Sequence, residues 1–177
     1  MTEWGRQRGF SLQTLPVEGL TAPLHVLKKF NARLAVCLNA AGAQIVQVCT
    51  DPPPRADGRP GAGEVTWNLL ARRITPPRVP AGVRPAHDRH SFLDLFSLSS
   101  FPAAGGTERF VLYAADSDAA QTFPDHAVRS MVPGDIGALV YGEALVLDFS
   151  SRPFDDLEFD RMIALADQLA RKLAEPG

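Results

Sequence analysis

Two cysteines, Cys37 and Cys49, are the strongest nucleophiles in the chain. A pair of reactive thiols can attack a sulfur centre and then resolve the intermediate as a disulfide. Both cysteines fall in one predicted β-hairpin, and with a two- to four-residue loop no register places them directly opposite each other. We therefore predict buried structural cysteines, and thiol chemistry stays open as an alternative.

Histidine and aspartate supply the other candidate reactive groups. His87 and His90 have the i, i+3 spacing that brings two imidazoles together on a helix, but a metal site needs a further ligand from elsewhere in the chain. His126 could accept a proton, yet no nucleophile is identifiable beside it. Asp116 follows a predicted strand and is a typical turn cap. We predict no metal, no cofactor and no catalytic residue.

Arginines are concentrated between residues 55 and 89, a stretch that contains seven arginines and only three acidic residues. Guanidinium groups bind phosphate through paired donors, and a tryptophan can stack on a base. Single-stranded nucleic acid is therefore an alternative partner, and an arm that binds a protein or has no specific role stays open as well. The residues that would bind nucleic acid are Arg55, Arg59, Trp67, Arg72, Arg73, Arg78, Arg84 and Arg89.

Composition restricts the class of protein. The chain has 177 residues, 45% of them hydrophobic, and a formal net charge of −2, so no overall positive field attracts nucleic acid or an anionic membrane. Its apolar runs are shorter than the roughly 20 residues of a membrane span. The first residues do not resemble a signal peptide, and two cysteines are too few for a disulfide framework. These features predict one cytoplasmic domain over residues 1–177 that does not bind membranes.

The elements that would position these side chains begin with a tail over residues 1–10 and a helix over 22–30 capped by Thr21. Alternating apolar residues over 33–38 and 43–49 predict a hairpin. Proline, glycine and arginine interrupt the pattern over 51–90, which predicts a long insertion.

The second half of the chain continues with a short buried helix over 90–98 and a strand over 109–114. A second hairpin is predicted over 136–140 and 143–149, around Tyr141 and Gly142. A helix then runs from the N-cap Asp155 to about Leu173. This order of elements predicts an α+β domain with an antiparallel sheet.

Two segments of the C-terminal third carry a family resemblance. Residues 114–130, AADSDAAQTFPDHAVRS, and residues 137–156, GALVYGEALVLDFSSRPFDD, resemble the later strands and the closing helix of GAF domains. The resemblance covers 107–173 and, less specifically, 20–50. It implies that the N- and C-terminal helices pack on one face of the sheet and that a ligand pocket lies on the other.

The resemblance also implies a function, which is that of a non-catalytic regulatory or sensory domain in signalling. Such a domain would bind a small molecule or a regulatory protein, and it could form a homodimer through its terminal helices, where Leu165 lies off the predicted buried stripe. A thiol-dependent reductase of the free methionine sulfoxide type is a third alternative, after nucleic-acid binding. The ligand-binding residues that the resemblance implies are Phe96, Tyr113, Asp116, Phe123 and His126.

Overall fold

A computed structural model describes residues 3–13, 19–52, 63–87, 91–96, 103–106, 108–114 and 130–175. Within these ranges the chain has an α+β fold in which seven strands form one antiparallel sheet. The strands are β1 (Ser11–Gln13), β2 (Arg33–Ala40), β3 (Ala43–Thr50), β4 (Val65–Pro85), β5 (Ala103–Gly106), β6 (Phe110–Ala114) and β7 (Gly137–Asp148). The helices are α1 (Glu3–Gln7), the 3₁₀ helices η1 (Ala22–Phe30) and η2 (Phe92–Phe96), and α2 (Asp156–Ala174).

The strand order is β1-β2-β3-β4-β6-β5, and β7 pairs with β4 on the edge that β3 and β6 leave open. β7 folds back on itself. A Cβ atom on Gly137 would lie 3.2 Å from the Cβ of Asp148, whereas a straight strand of this length would separate its ends by roughly 36 Å. Gly142 has a positive φ of 57°, as the first central residue of a tight type II′ turn would have. This geometry supports the predicted second hairpin.

Because β7 folds back, its two halves form the centre of the sheet. The half of β4 over 69–73 pairs with 144–148, and the half over 81–83 pairs with 138–140. The two halves of β7 therefore lie side by side, flanked by the two halves of β4. Consistent with this central position, residues 138–140 and 144–149 are buried.

Helices cover both faces of the sheet. The core on one face includes Phe159, Met162 and other buried residues of α2. The core on the opposite face includes Leu24 of η1 and Phe92 of η2, packed around Trp67. The expectation that the N- and C-terminal helices share one face is therefore wrong, because neighbouring residues of each strand point to opposite faces and both faces are apolar.

The predicted insertion over 51–90 is wrong for residues 65–85, which form the longest strand. Its prolines, which have no N–H to donate, are tolerated because they lie where the inter-strand hydrogen bonding is irregular. Pro76, Pro77 and Pro80 lie in the two register shifts against β7, between Arg73 and Ala81. Residues 53–62 and 88–90 of the predicted insertion lie outside the described residues.

The first hairpin is confirmed over β2 and β3, with Gly42 at positive φ in its turn. The predicted strand over 109–114 corresponds to β6, and η2 lies within the predicted buried helix over 90–98. The predicted tail is wrong for residues 3–10, because Trp4 of α1 stacks on Phe10 and donates a hydrogen bond to Asp160 on α2. None of the described helices is long and apolar enough to cross a membrane.

The start of α2 is held by a cap and an ion cluster. The predicted N-cap is confirmed, since Asp155 accepts a hydrogen bond from the Glu158 amide at 2.9 Å. Arg152 donates to both carboxylate oxygens of Asp135, at 2.7 and 2.8 Å, and to Glu158 at 2.6 Å. The paired hydrogen bonds from Arg152 hold the pKa of Asp135 below its usual value, and the same contacts raise the pKa of Arg152.

Leu165 is buried in the core between α2 and the sheet and is not a free apolar side chain. The predicted pairing of the helices in a homodimer relies on this residue. The sequence pattern places it off the buried stripe, but α2 buries a wider face than that stripe, because β4 and β7 both contact the helix. Homodimer formation stays a prediction, but Leu165 no longer supports it.

Candidate ligand pocket at the strand tips

A pocket of about 460 Å³ lies at one end of the sheet, on the face that η1 and η2 cover. Three parts of the chain that are distant in sequence meet there: the start of η1, the turn between β2 and β3, and the turn of β7. Arg73 of β4 lies between the two turns, because Arg72 pairs with Ala43 and Arg73 pairs with Ala144. The residues that line this tip pocket are Thr21, Ala22, Pro23, Asn39, Ala40, Gly42, Ala43, Gln44, Arg73, Tyr141, Gly142, Glu143 and Ala144.

Small side chains create the space in the tip pocket. Seven of its lining residues are alanine, glycine or proline, which leave the two turns and η1 separated by an open volume. The buried Gln44 holds the wall of the pocket together: its Oε1 accepts hydrogen bonds from both the amide and the hydroxyl of Thr21, each at 2.6 Å. Its Nε2 donates to the Gly19 carbonyl. The entrance of the chain into η1 is thus fixed to β3.

The rim of the tip pocket carries a charged pair and an aromatic ring. Arg73 Nη2 lies 3.1 Å from Glu143 Oε2, and the two side chains are 69% and 55% exposed. Tyr141 is 43% exposed, and its ring packs against Phe96 with 5.5 Å between the ring centroids. The rim therefore offers hydrogen-bond donors, acceptors and an aromatic surface around an apolar floor.

A second pocket of about 290 Å³ lies on the opposite face, between α2 and the same β2–β3 turn. Ala40 and Ala43 line both pockets, so the turn is a thin wall between them. The charged residues of the second pocket are paired on α2: Arg8 contacts Asp160 and Arg72 contacts Asp167.

Phe96 and Tyr113, two of the ligand-binding residues implied by the resemblance, both pack against the core beneath η1 and η2. Neither lines the two pockets, although Phe96 supports Tyr141 at the rim of the tip pocket. Asp116, Phe123 and His126 lie outside the described residues, so their roles stay predictions.

The described arginines of the predicted nucleic-acid site do not all lie on one surface. Arg72 and Arg73 point to opposite faces of the sheet, where they pair with Asp167 and Glu143. Arg78 donates to the Leu173 carbonyl at the end of α2, and Arg84 pairs with Asp94. Arg55, Arg59 and Arg89 lie outside the described residues.

Trp67 is 1% exposed and donates a hydrogen bond from Nε1 to the Thr50 hydroxyl at 2.8 Å. The hypothesis that this ring stacks on a base is therefore wrong, because both faces of the indole lie in the core. Composition does not predict this, because Trp67 lies within the proline- and arginine-rich stretch over 51–90.

The two cysteines are on opposite faces of the sheet. Cys37 is buried beside η1, and burial raises the pKa of its thiol. Cys49 is half-buried near the Thr66 hydroxyl, on the other face. Such an arrangement does not provide the adjacent thiols that a nucleophile and a resolving group require. In the part of the chain that is described, no group of three His, Cys, Asp or Glu side chains could hold a metal ion.

We expect the native protein to react with a thiol reagent such as DTNB at Cys49 only. Burial hides Cys37 and disfavours its thiolate, whereas Cys49 is partly accessible. The Cys49→Ser variant should release almost no thionitrobenzoate until urea is added, and the Cys37→Ser variant should react like the wild type. Rapid reaction of the Cys49→Ser variant without urea would contradict the buried position of Cys37.

Comparison with known proteins gives the fold and no family. No protein-family model and no curated protein matches the chain. A solved structure, that of the mycobacterial trehalose monomycolate transport factor A, superposes with a TM-score of 0.62 over 98% of this chain and 93% of that one. Sequence identity is 10%, so the likeness shows the α+β fold alone. The resemblance to GAF domains stays a prediction.

The residues of the tip pocket were missed by sequence reasoning. Sequence patterns predict only a hairpin loop over Asn39 to Gly42 and only a turn at Tyr141 and Gly142. The one available signal is that both turns are rich in small residues. Nothing in the sequence shows that the two turns meet on either side of Arg73, because that depends on the register of β4.

Proposed function

We propose that this chain is a non-catalytic binding domain whose small-molecule ligand occupies the tip pocket. The observation that carries the proposal is the pocket itself: about 460 Å³, with an apolar floor and a polar rim, between three segments from distant parts of the chain. Ligand sites in proteins are typically concave and mostly apolar, with a few polar groups that orient the ligand.

The composition of the lining favours binding over catalysis. Its described residues include no cysteine, histidine, serine or lysine. The Thr21 hydroxyl donates its hydrogen bond to the Gln44 side-chain oxygen, which is not a base. Glu143 is the one carboxylate among the described lining residues, and it is paired with Arg73 at the solvent-exposed rim. An activated nucleophile needs an adjacent base and a third group that orients the base, and these lining residues do not provide that set.

A ligand in this position would connect η1 with the two turns. Because it would bind only the arrangement in which the three segments stand together, it would stabilise that arrangement and the folded state. This is the physical basis on which we propose a regulatory or sensory role, in which binding at the strand tips is read by a partner.

The experiment measures binding of the uncharged apolar fluorophore N-phenylnaphthylamine and the change in Tm. We expect saturable fluorescence enhancement by the wild type and loss of most of it in Ala22→Trp, because Ala22 is an exposed residue that lines the pocket. The matched control is Ala164→Trp, at an exposed alanine of α2 remote from the pocket, which should bind like the wild type.

Equal enhancement by both tryptophan variants would contradict the proposal, since the fluorophore would then bind elsewhere. Absence of enhancement by the wild type, together with an unchanged Tm at high fluorophore concentration, would also contradict it. Circular dichroism of each variant shows whether the fold is retained.

A further inference from the structure

The charged pair on the rim indicates the class of ligand. Among the residues that the structure describes, Arg73 and Glu143 are the charged side chains that line the tip pocket, and their charges cancel. Resting on the proposed function, we propose that the ligand is an uncharged amphiphile, with a hydroxyl-bearing head such as a sugar or polyol at this pair and an apolar body over the alanine and proline floor.

The hydrogen-bonding capacity of the pair exceeds what the protein uses. A guanidinium carries five N–H donors and a carboxylate has about four acceptor positions, and between these two side chains one hydrogen bond forms, at 3.1 Å. Neighbouring hydroxyl groups of a ligand can accept from Arg73 and donate to Glu143 at the same time. A simple anion or cation cannot do both.

Electrostatics also favours a neutral head. An anion that approaches Arg73 meets the negative charge of Glu143 a few ångströms away, and a cation that approaches Glu143 meets Arg73. The attraction and the repulsion largely cancel, so an ion gains little in exchange for its hydration. A hydroxyl group carries a much smaller desolvation cost and finds both partners.

Tyr141 completes the recognition surface. Its ring is held by Phe96 and stays 43% exposed beside the charged pair. No partner of its hydroxyl is found among the described residues. An exposed aromatic face beside hydrogen-bonding groups suits a head with an apolar face of C–H groups and an edge of hydroxyls, which is the chemistry of a pyranose ring.

The test compares three amphiphiles that share an octyl chain, each below its critical micelle concentration: octyl glucoside, octyl sulfate and octyltrimethylammonium. Each is titrated into the full chain by calorimetry and by displacement of N-phenylnaphthylamine. We expect octyl glucoside to bind most tightly. Tyr141→Ala should weaken its binding about fivefold, and Phe96 is left unchanged in that variant.

Two variants that each remove one charge of the pair, Glu143→Gln and Arg73→Gln, serve as matched controls. Glu143→Gln leaves the positive charge of Arg73, so it should weaken octyl glucoside about fivefold and strengthen octyl sulfate. Arg73→Gln leaves the negative charge of Glu143 and should strengthen octyltrimethylammonium instead. Both side chains are mostly exposed, so Tm should change little.

The outcomes separate this inference from the proposed function. Equal binding of the three amphiphiles, or tighter binding of an ionic one by the wild type, would overturn the neutral head and leave the binding function intact. No binding of any amphiphile or of the fluorophore would overturn both.

Discussion

Replacement of Trp67 by alanine is expected to lower the free energy of unfolding by about 3–5 kcal/mol, because it removes the largest buried side chain beneath η1 and η2. The indole contacts the Phe92 ring edge-on at 6.1 Å between centroids. It also donates to Thr50, so truncation leaves a cavity and removes a buried hydrogen bond. Urea unfolding followed by far-ultraviolet circular dichroism measures the change.

Trp67→Phe is the control that separates packing from hydrogen bonding. Phenylalanine keeps most of the buried area but cannot donate to the Thr50 hydroxyl, and we expect a loss of about 1–2 kcal/mol. A Trp67→Ala variant as stable as the wild type would contradict the buried position. It would return Trp67 to the accessible surface on which the nucleic-acid hypothesis depends.

Replacement of Arg152 by alanine should cost about 2–4 kcal/mol, the second-largest effect that we expect. The change removes a partner of Glu158, whose side chain is only 5% exposed, and both hydrogen bonds to Asp135. The cost is smaller than for a fully buried cluster, because Arg152 and Asp135 are partly exposed and water screens their charges. Denaturant unfolding measures the loss.

The matched control for this prediction is Arg161→Ala. Arg161 also contacts Glu158, but its side chain is 59% exposed, and its removal should cost below about 1 kcal/mol. Adding Glu158→Gln to Arg152→Ala should recover part of the lost stability, since in the single variant the buried carboxylate keeps only the mostly exposed Arg161 as a charged partner. Equal costs for the two arginine variants would show that the cluster does not anchor α2.

The same cluster gives the wild type a pH dependence. The pKa of Asp135 is lowered in the folded state, so its contribution is present above the unfolded pKa near 3.9 and is lost as the pH falls through the lower folded pKa. The stability difference between the wild type and Arg152→Ala should therefore shrink below pH 4.

Short-range sequence patterns predict the elements in which apolar residues recur at one regular spacing. The hairpin of β2 and β3 and the capped helix α2 were predicted because alternation and capping act over a few residues. β4 was missed because Pro76, Pro77 and Pro80 are strand breakers in isolation. Only the register against β7 shows that they fall at bulges, and register is a property of two segments distant in sequence.

The candidate site was beyond sequence reasoning for a related reason. Its polar residues, Arg73, Tyr141 and Glu143, are ordinary surface residues in their own segments. They become neighbours because Arg73 pairs with Ala144 across the sheet. Composition alone assigns Trp67 to a binding surface, whereas on β4 it shares with Leu69 the face that packs beneath η1 and η2.

The position of β7 between the two halves of β4 has a consequence for how the chain folds. Contacts such as Leu69 with Asp148 and Val83 with Ala138 join parts of the chain that are far apart in sequence. A fold with such a high contact order reaches its transition state slowly, because long loops must close before the pairing stabilises them. During synthesis both halves of β4 leave the ribosome well before β7, so each keeps an unpaired edge until the last strand arrives. A nascent chain of this protein therefore has its greatest exposure to aggregation just before the sheet is complete.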